Sequence, residues 1–171
     1  MRALGPGSVS SFLKIILDVV YATLWIVLGL AVVGMFASLL FSFNPDLLPR
    51  NLAETDAARW TLRAEVLFAS ALVISGVQVI VDALRRIFMT LTAGDPFHPQ
   101  NVRRLRLIGF MLALLEIGNY VFWGLSPLMP AVRRVSGSFN VTAWFSVLVV
   151  FVLAEVFREG ARLRREAELT I

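Results

Sequence analysis

From Val19 to Phe43 the chain carries no charged side chain. A helix needs about 20 predominantly apolar residues to cross the hydrocarbon core of a bilayer, so this run is ample for a membrane span. It reads as a retained anchor, because it outlasts a signal-peptide h-region of about 7–15 residues and no small-x-small cleavage site follows. Three more segments share the character. One runs from Val66 to Val81 between Glu65 and Asp82, and Leu62 and Leu84 extend it while the flanking polar ends snorkel. One runs from Leu107 to Pro127 with Glu116 and Asn119 inside it, and one from Phe139 to Phe157.

Composition closes off the soluble alternative. The sequence is 58% hydrophobic with a mean hydropathy of +0.78 over 171 residues, against about 45–50% apolar in soluble domains. A domain of this size has too little interior to hide the excess. The expected fold class is all-α: an integral membrane four-helix bundle in a single domain over 1–171, with spans at about 16–43, 64–84, 107–127 and 139–157.

Orientation follows from the arginines and lysines flanking the spans. The N-terminal tail (Arg2, Lys14), the second connection (Arg85, Arg86, Arg103, Arg104, Arg106) and the C-terminal tail (Arg158, Arg162, Arg164, Arg165) are together richer in basic residues. The first connection (Arg50, Arg59, Arg63) and the third (Arg133, Arg134) are poorer. Both termini are therefore expected in the cytoplasm, which requires an even number of spans. Phe41, Phe43, Trp60, Phe122, Trp123, Phe139, Trp144 and Phe145 cluster near the expected outer ends, where aromatic rings favour the interface.

The outer loop, 44–63, opens on the turn signal Asn44-Pro45-Asp46. From Asn51 it reads as a short amphipathic helix with Leu52, Ala53, Ala57 and Trp60 apolar, lying on the membrane surface or capping a cavity. The second span is expected to continue as helix into the cytoplasm, since Ala83, Leu84, Ile87, Phe88 and Leu91 keep helical spacing, and to stop at Gly94. The tail, 158–171, reads as a charged helix with Glu155, Glu159 and Arg162 three or four apart. Gly34 with Ser38, Ala71 with Ser75 and Gly109 with Ala113 would let helices approach closely, within one chain or in a homo-oligomer.

The inner loop, 92–103, is the most informative segment. Gly94 stops one helix, Pro96 and Pro99 deny helix, and Asn101 is a good N-cap for the next. Phe97, apolar in a polar loop, is expected to tuck between helix ends, and Arg103, Arg104 and Arg106 to sit at the membrane surface. The pattern Gly94-x-Pro96-Phe97, Asn101, Arg104-Leu105-Arg106 and Ile108-Gly109 resembles a family of uncharacterised bacterial membrane proteins, domain of unknown function two-nine-seven-five. The ending, with Phe157, Gly160, Leu163 and Glu168-Leu169-Thr170-Ile171, is also similar. The resemblance implies four membrane helices in a bacterial inner membrane and a small cytoplasmic helix-turn-helix regulator as partner. On that reading Phe97, Arg103, Arg104, Arg106, Arg158 and Arg162 are the candidate partner-binding residues, and the chain itself does not bind nucleic acid.

Within the spans the sharpest candidate is Glu116, with Asn119 and Tyr120 three and four residues on along one helix face. A carboxylate in hydrocarbon costs about 2.5–3.5 kcal/mol or more, so it must be neutralised, paired or turned to a polar cavity. It reads as a ligand or proton site with Gln78 as neighbour, or as a structural interhelical hydrogen bond. Asp18 and Asp82 read as headgroup-level ion-pair partners, and His98 as a loop residue.

The chain has no cysteine and one histidine, which excludes disulfides, thiolate chemistry and a multi-histidine metal site within one chain. No catalytic constellation, metal site or cofactor motif stands out, so an enzyme is not expected. Two function classes remain: a membrane-embedded sensor or scaffold for an apolar or lipid-like ligand and a cytoplasmic regulator, and a small proton-coupled transporter using Glu116. The latter lacks broken helices and an inverted repeat.

Overall fold

The computed structural model of the chain describes residues 9–44, 57–125 and 139–169. These are all-helical: α1 (Val9–Phe43), α2 (Ala57–Thr92), α3 (Pro99–Leu125) and α4 (Val141–Leu169). Each of the four is long and apolar enough to cross a membrane. Most of the outer-loop helix expected from Asn51, the end of the third span and the arginines of the third connection lie outside the described residues.

Local chemistry explains the helix ends. Gly94 N–H donates to Leu91 C=O at 3.1 Å and Asp95 N–H to Thr90 C=O at 3.0 Å, the paired bonds of a Schellman stop. That geometry needs a left-handed residue, and Gly94 has φ +83°. The next helix starts earlier than the sequence reading placed it. Pro99 is its first residue, where a missing N–H costs nothing and the fixed φ is already helical. The cap is His98, whose Nδ1 accepts the Gln100 N–H at 3.2 Å. Asn101 is thus an interior residue of α3 and not its N-cap, and only Pro96 serves as a helix breaker. At α4 the Asn140 side chain accepts the Ala143 N–H at 3.1 Å, an ordinary asparagine N-cap.

The described residues fall into two compact units. The first takes 9–23, 76–116 and 139–169. Its core is Ala83 and Ile87 of α2, Leu105 and Ile108 of α3 and Ala154 of α4, with Ile80, Leu84, Leu91, Leu112, Val150 and Phe157 packed around it. Two glycines admit large neighbours: a Cβ on Gly76 would lie 2.7 Å from Leu115, and one on Gly109 3.1 Å from Phe151. At the α1 side, Arg85 Nε meets Asp18 Oδ1 at 2.6 Å while its guanidinium stacks 4.3 Å from the Tyr21 ring. Asp82 is held by Arg86 at 2.7 Å.

The second unit takes 24–44, 57–75 and 117–125. Here α1 and α2 meet through Gly34, whose absent Cβ makes room for Leu67, and through Phe41 and Trp60, whose rings are 5.3 Å apart. The Arg63 guanidinium lies over the Trp60 ring, 4.6 Å from its centroid. Hydroxyls along the helices turn back on their own backbones, as Ser70 does to Val66 C=O and Ser75 to Ala71 C=O. A side chain satisfied this way adds no polarity to an apolar face. Such faces are extensive: Trp25, Leu30, Val33 and Phe36 of α1 are more than half exposed. Apolar exposure on this scale is what a lipid-facing surface requires and water disfavours.

Candidate functional site

The first unit gathers its polar chemistry at the turn between α2 and α3, and Asn101 organises it. Asn101 is fully buried. Its Nδ2 donates to Thr90 Oγ1 at 2.7 Å and to Pro96 C=O at 3.1 Å, joining the end of α2 to the turn. Its Oδ1 accepts from Arg104 at 2.9 Å. Arg104 then donates to the Arg86 C=O at 2.8 Å and to Gln100 Oε1 at 3.0 Å. The Arg86 bond ties α3 to the α2 backbone between one and two turns before the end of α2.

This turn is fastened to α4. Phe97 packs 5.7 Å from the Phe157 ring and directly over Gly160, where a Cβ would come within 2.5 Å of the Phe97 ring. Asp95 Oδ1 pairs with Arg164 at 2.5 Å. Phe97 thus packs on the side of α4 and not between helix ends, and stays 38% exposed. The sequence carried no signal for the Asp95–Arg164 pair, nor for Thr90 as the partner of Asn101.

The six candidate partner-binding residues divide into three groups. Phe97 and Arg104 are engaged inside the cluster just described. Arg158 and Arg162 are exposed on α4, in ion pairs with Glu155, Glu159 and Glu166 of the same helix. Arg103 and Arg106 are exposed on α3 and make no hydrogen bond or ion pair with a described residue.

The candidate ligand residues lie deeper. Gln78 is 7% exposed, and neither its Oε1 nor its Nε2 has a hydrogen-bond partner. Glu116 is half-buried, and its Oε1 is enclosed without a partner. Both belong to the first unit. Gly76 is the α2 residue that meets Leu115 of α3, and Gln78, two residues on, points about 160° away from it, on the side from which Arg85 reaches Asp18 of α1. No bond joins these enclosed atoms to each other. Asn119 and Tyr120 are half-buried further along α3, in the second unit. Buried amides are almost always bonded, and leaving one unmade costs about 1–3 kcal/mol. Gln78 and Glu116 thus each carry enclosed, unbonded polar atoms, but on different faces of the first unit and not in one seam. Among the described residues no cluster of histidine and carboxylate side chains is arranged to hold a metal ion.

The family described as Protein of unknown function (DUF2975) matches residues 47–171, well over half of the chain. No curated protein and no solved structure matches.

Proposed function

The chain belongs to the DUF2975 family of proteins of unknown function, and from that premise we propose that it is a non-enzymatic membrane sensor or scaffold. It lies in the bacterial inner membrane with both termini in the cytoplasm, the side favoured by the arginine-rich turn and tail. Its inner face docks a soluble regulator of the helix-turn-helix type, and the bundle takes an apolar or lipid-like ligand, with Glu116 and Gln78 as separate polar contacts.

The observation that carries this reading is the fastening of the turn to α4 by Phe97, Phe157 and Gly160 and by Asp95 with Arg164. Because α4 shares a core with α2 and α3, a ligand that shifts those helices also moves the charged face carrying Arg158 and Arg162. The Arg158→Glu/Arg162→Glu variant tests the docking. Tagged wild-type chain in native membranes should recover a small DNA-binding protein identified by mass spectrometry, and the variant should lose it. Equal recovery by both would defeat the docking face.

A second reading rests on Glu116, whose Oε1 is enclosed and unbonded. A mid-membrane carboxylate of this kind suits a proton-coupled carrier. Proton uptake by proteoliposomes that disappears in Glu116→Gln supports it, and the absence of any flux in the wild-type chain removes it.

A further inference from the structure

We propose that α3 carries a binding lane for an anionic phospholipid, with Arg103 and Arg106 on the headgroup and Leu107, Phe110 and Leu114 along an acyl chain. Among the described arginine side chains, Arg103 and Arg106 alone have no intrachain partner. Arg85 and Arg86 are in ion pairs, Arg63 covers a ring, Arg104 is held at the turn, and Arg158, Arg162, Arg164 and Arg165 bond on or from α4. Two guanidinium groups left without carboxylates keep their full capacity for a phosphate, which they match with paired N–H donors.

The apolar residues continue the same face. At 3.6 residues per turn, positions 103, 106, 107, 110 and 114 fall within an arc of about 100°. The opposite arc is the packed one, with Asn101, Val102, Leu105, Ile108 and Gly109 buried. On the open arc Leu107 is 40% exposed, Phe110 58% and Leu114 48%. From Arg103 to Leu114 the helix rises about 16 Å, close to the about 15 Å of one leaflet of hydrocarbon. The charge stands at one end of the lane, and everything beyond it is apolar. A soluble acidic protein would meet the arginines but leave Phe110 and Leu114 bare, whereas a phospholipid fills both parts. Basic residues at the membrane surface attract anionic lipid, and here two of them share one face with exposed apolar side chains along which an acyl chain would lie.

Native mass spectrometry of the detergent-solubilised full chain tests this, titrated with phosphatidylglycerol or phosphatidylcholine. The wild-type chain should retain phosphatidylglycerol in preference by roughly tenfold or more. Arg103→Gln/Arg106→Gln should lose that preference, while Arg158→Gln/Arg162→Gln keeps it. Glycerol phosphate, which has the anionic group without chains, should compete poorly. Far-UV circular dichroism showing wild-type helix content in the double variant secures the comparison. If that variant does not fold, Phe110→Gln in the wild-type background should weaken retention with both arginines intact. An unchanged preference in the α3 variant, an equal loss in the α4 variant, or displacement by glycerol phosphate at equal concentration each overturns the lane.

Discussion

Asn101 Nδ2 and Thr90 Oγ1, 2.7 Å apart, join the start of α3 to the end of α2. Through Pro96 C=O and Arg104 the same buried amide also holds the turn and the arginine that bonds Arg86. Asn101→Ala removes the centre of this network and leaves Pro96 C=O and the Arg104 guanidinium short of partners. We expect a loss of about 2–4 kcal/mol, read as a lowered unfolding midpoint in detergent. A change within experimental error would mean that water replaces the amide.

Gly160 and Phe97 should show strong coupling. A methyl group at Gly160 has no room beside the Phe97 ring, so Gly160→Ala should cost about 1–3 kcal/mol as an overpacked contact. In a Phe97→Ala background the same substitution should cost close to nothing. A double-mutant cycle measures the difference, and additive effects would refute the contact.

Gly94 presents the opposite case. Nothing stands within 4 Å of a Cβ there, so only the φ of +83° opposes a side chain. Gly94→Ala should destabilise by about 1–2 kcal/mol, and Gly94→Asn by less, because asparagine tolerates the left-handed region. Denaturant unfolding of the two variants gives the order, and the reverse order would show that the turn relaxes away from this conformation.

Gln78 should behave unlike an ordinary core residue. Its amide is enclosed and unbonded, so Gln78→Leu in ligand-free detergent should leave stability unchanged or raise it by about 1 kcal/mol. A clear fall in the unfolding midpoint would indicate that the amide is satisfied in the resting protein, which would count against Gln78 as a ligand contact.

Charge-free length made the four helices legible, because a run such as Val19–Phe43 has one economical solution in a bilayer. The helix stop at Gly94 was legible for a similar reason, since few residues besides glycine end a helix in this way. The start of α3 is ambiguous in sequence because two local rules compete: asparagine favours the N-cap, but proline favours the first turn, and His98 can supply the cap itself. The three arginines at 103, 104 and 106 look alike in sequence. Helical rotation separates them, placing Arg104 toward Asn101 and leaving the other two on the open arc. Asp95 and Arg164 lie far apart in the chain and follow no period, so their pairing had no sequence signal. Gln78 and Glu116 stood out as polar residues among apolar ones, but that their enclosed atoms go unbonded is a property of packing.

The Phe97 contact also imposes an order of assembly. A chain is synthesised from its N-terminus, and its parts fold in that sequence. The α2–α3 turn therefore emerges with Asn101 and Thr90 already able to bond, while Phe157 and Gly160 do not yet exist. Until α4 is made, Phe97 has no cover and Asp95 no counterion. A translation product truncated before α4 would retain three apolar helices and an intact turn, yet display an uncovered phenylalanine at its tip, a surface that chaperones and membrane proteases can tell apart from the finished protein.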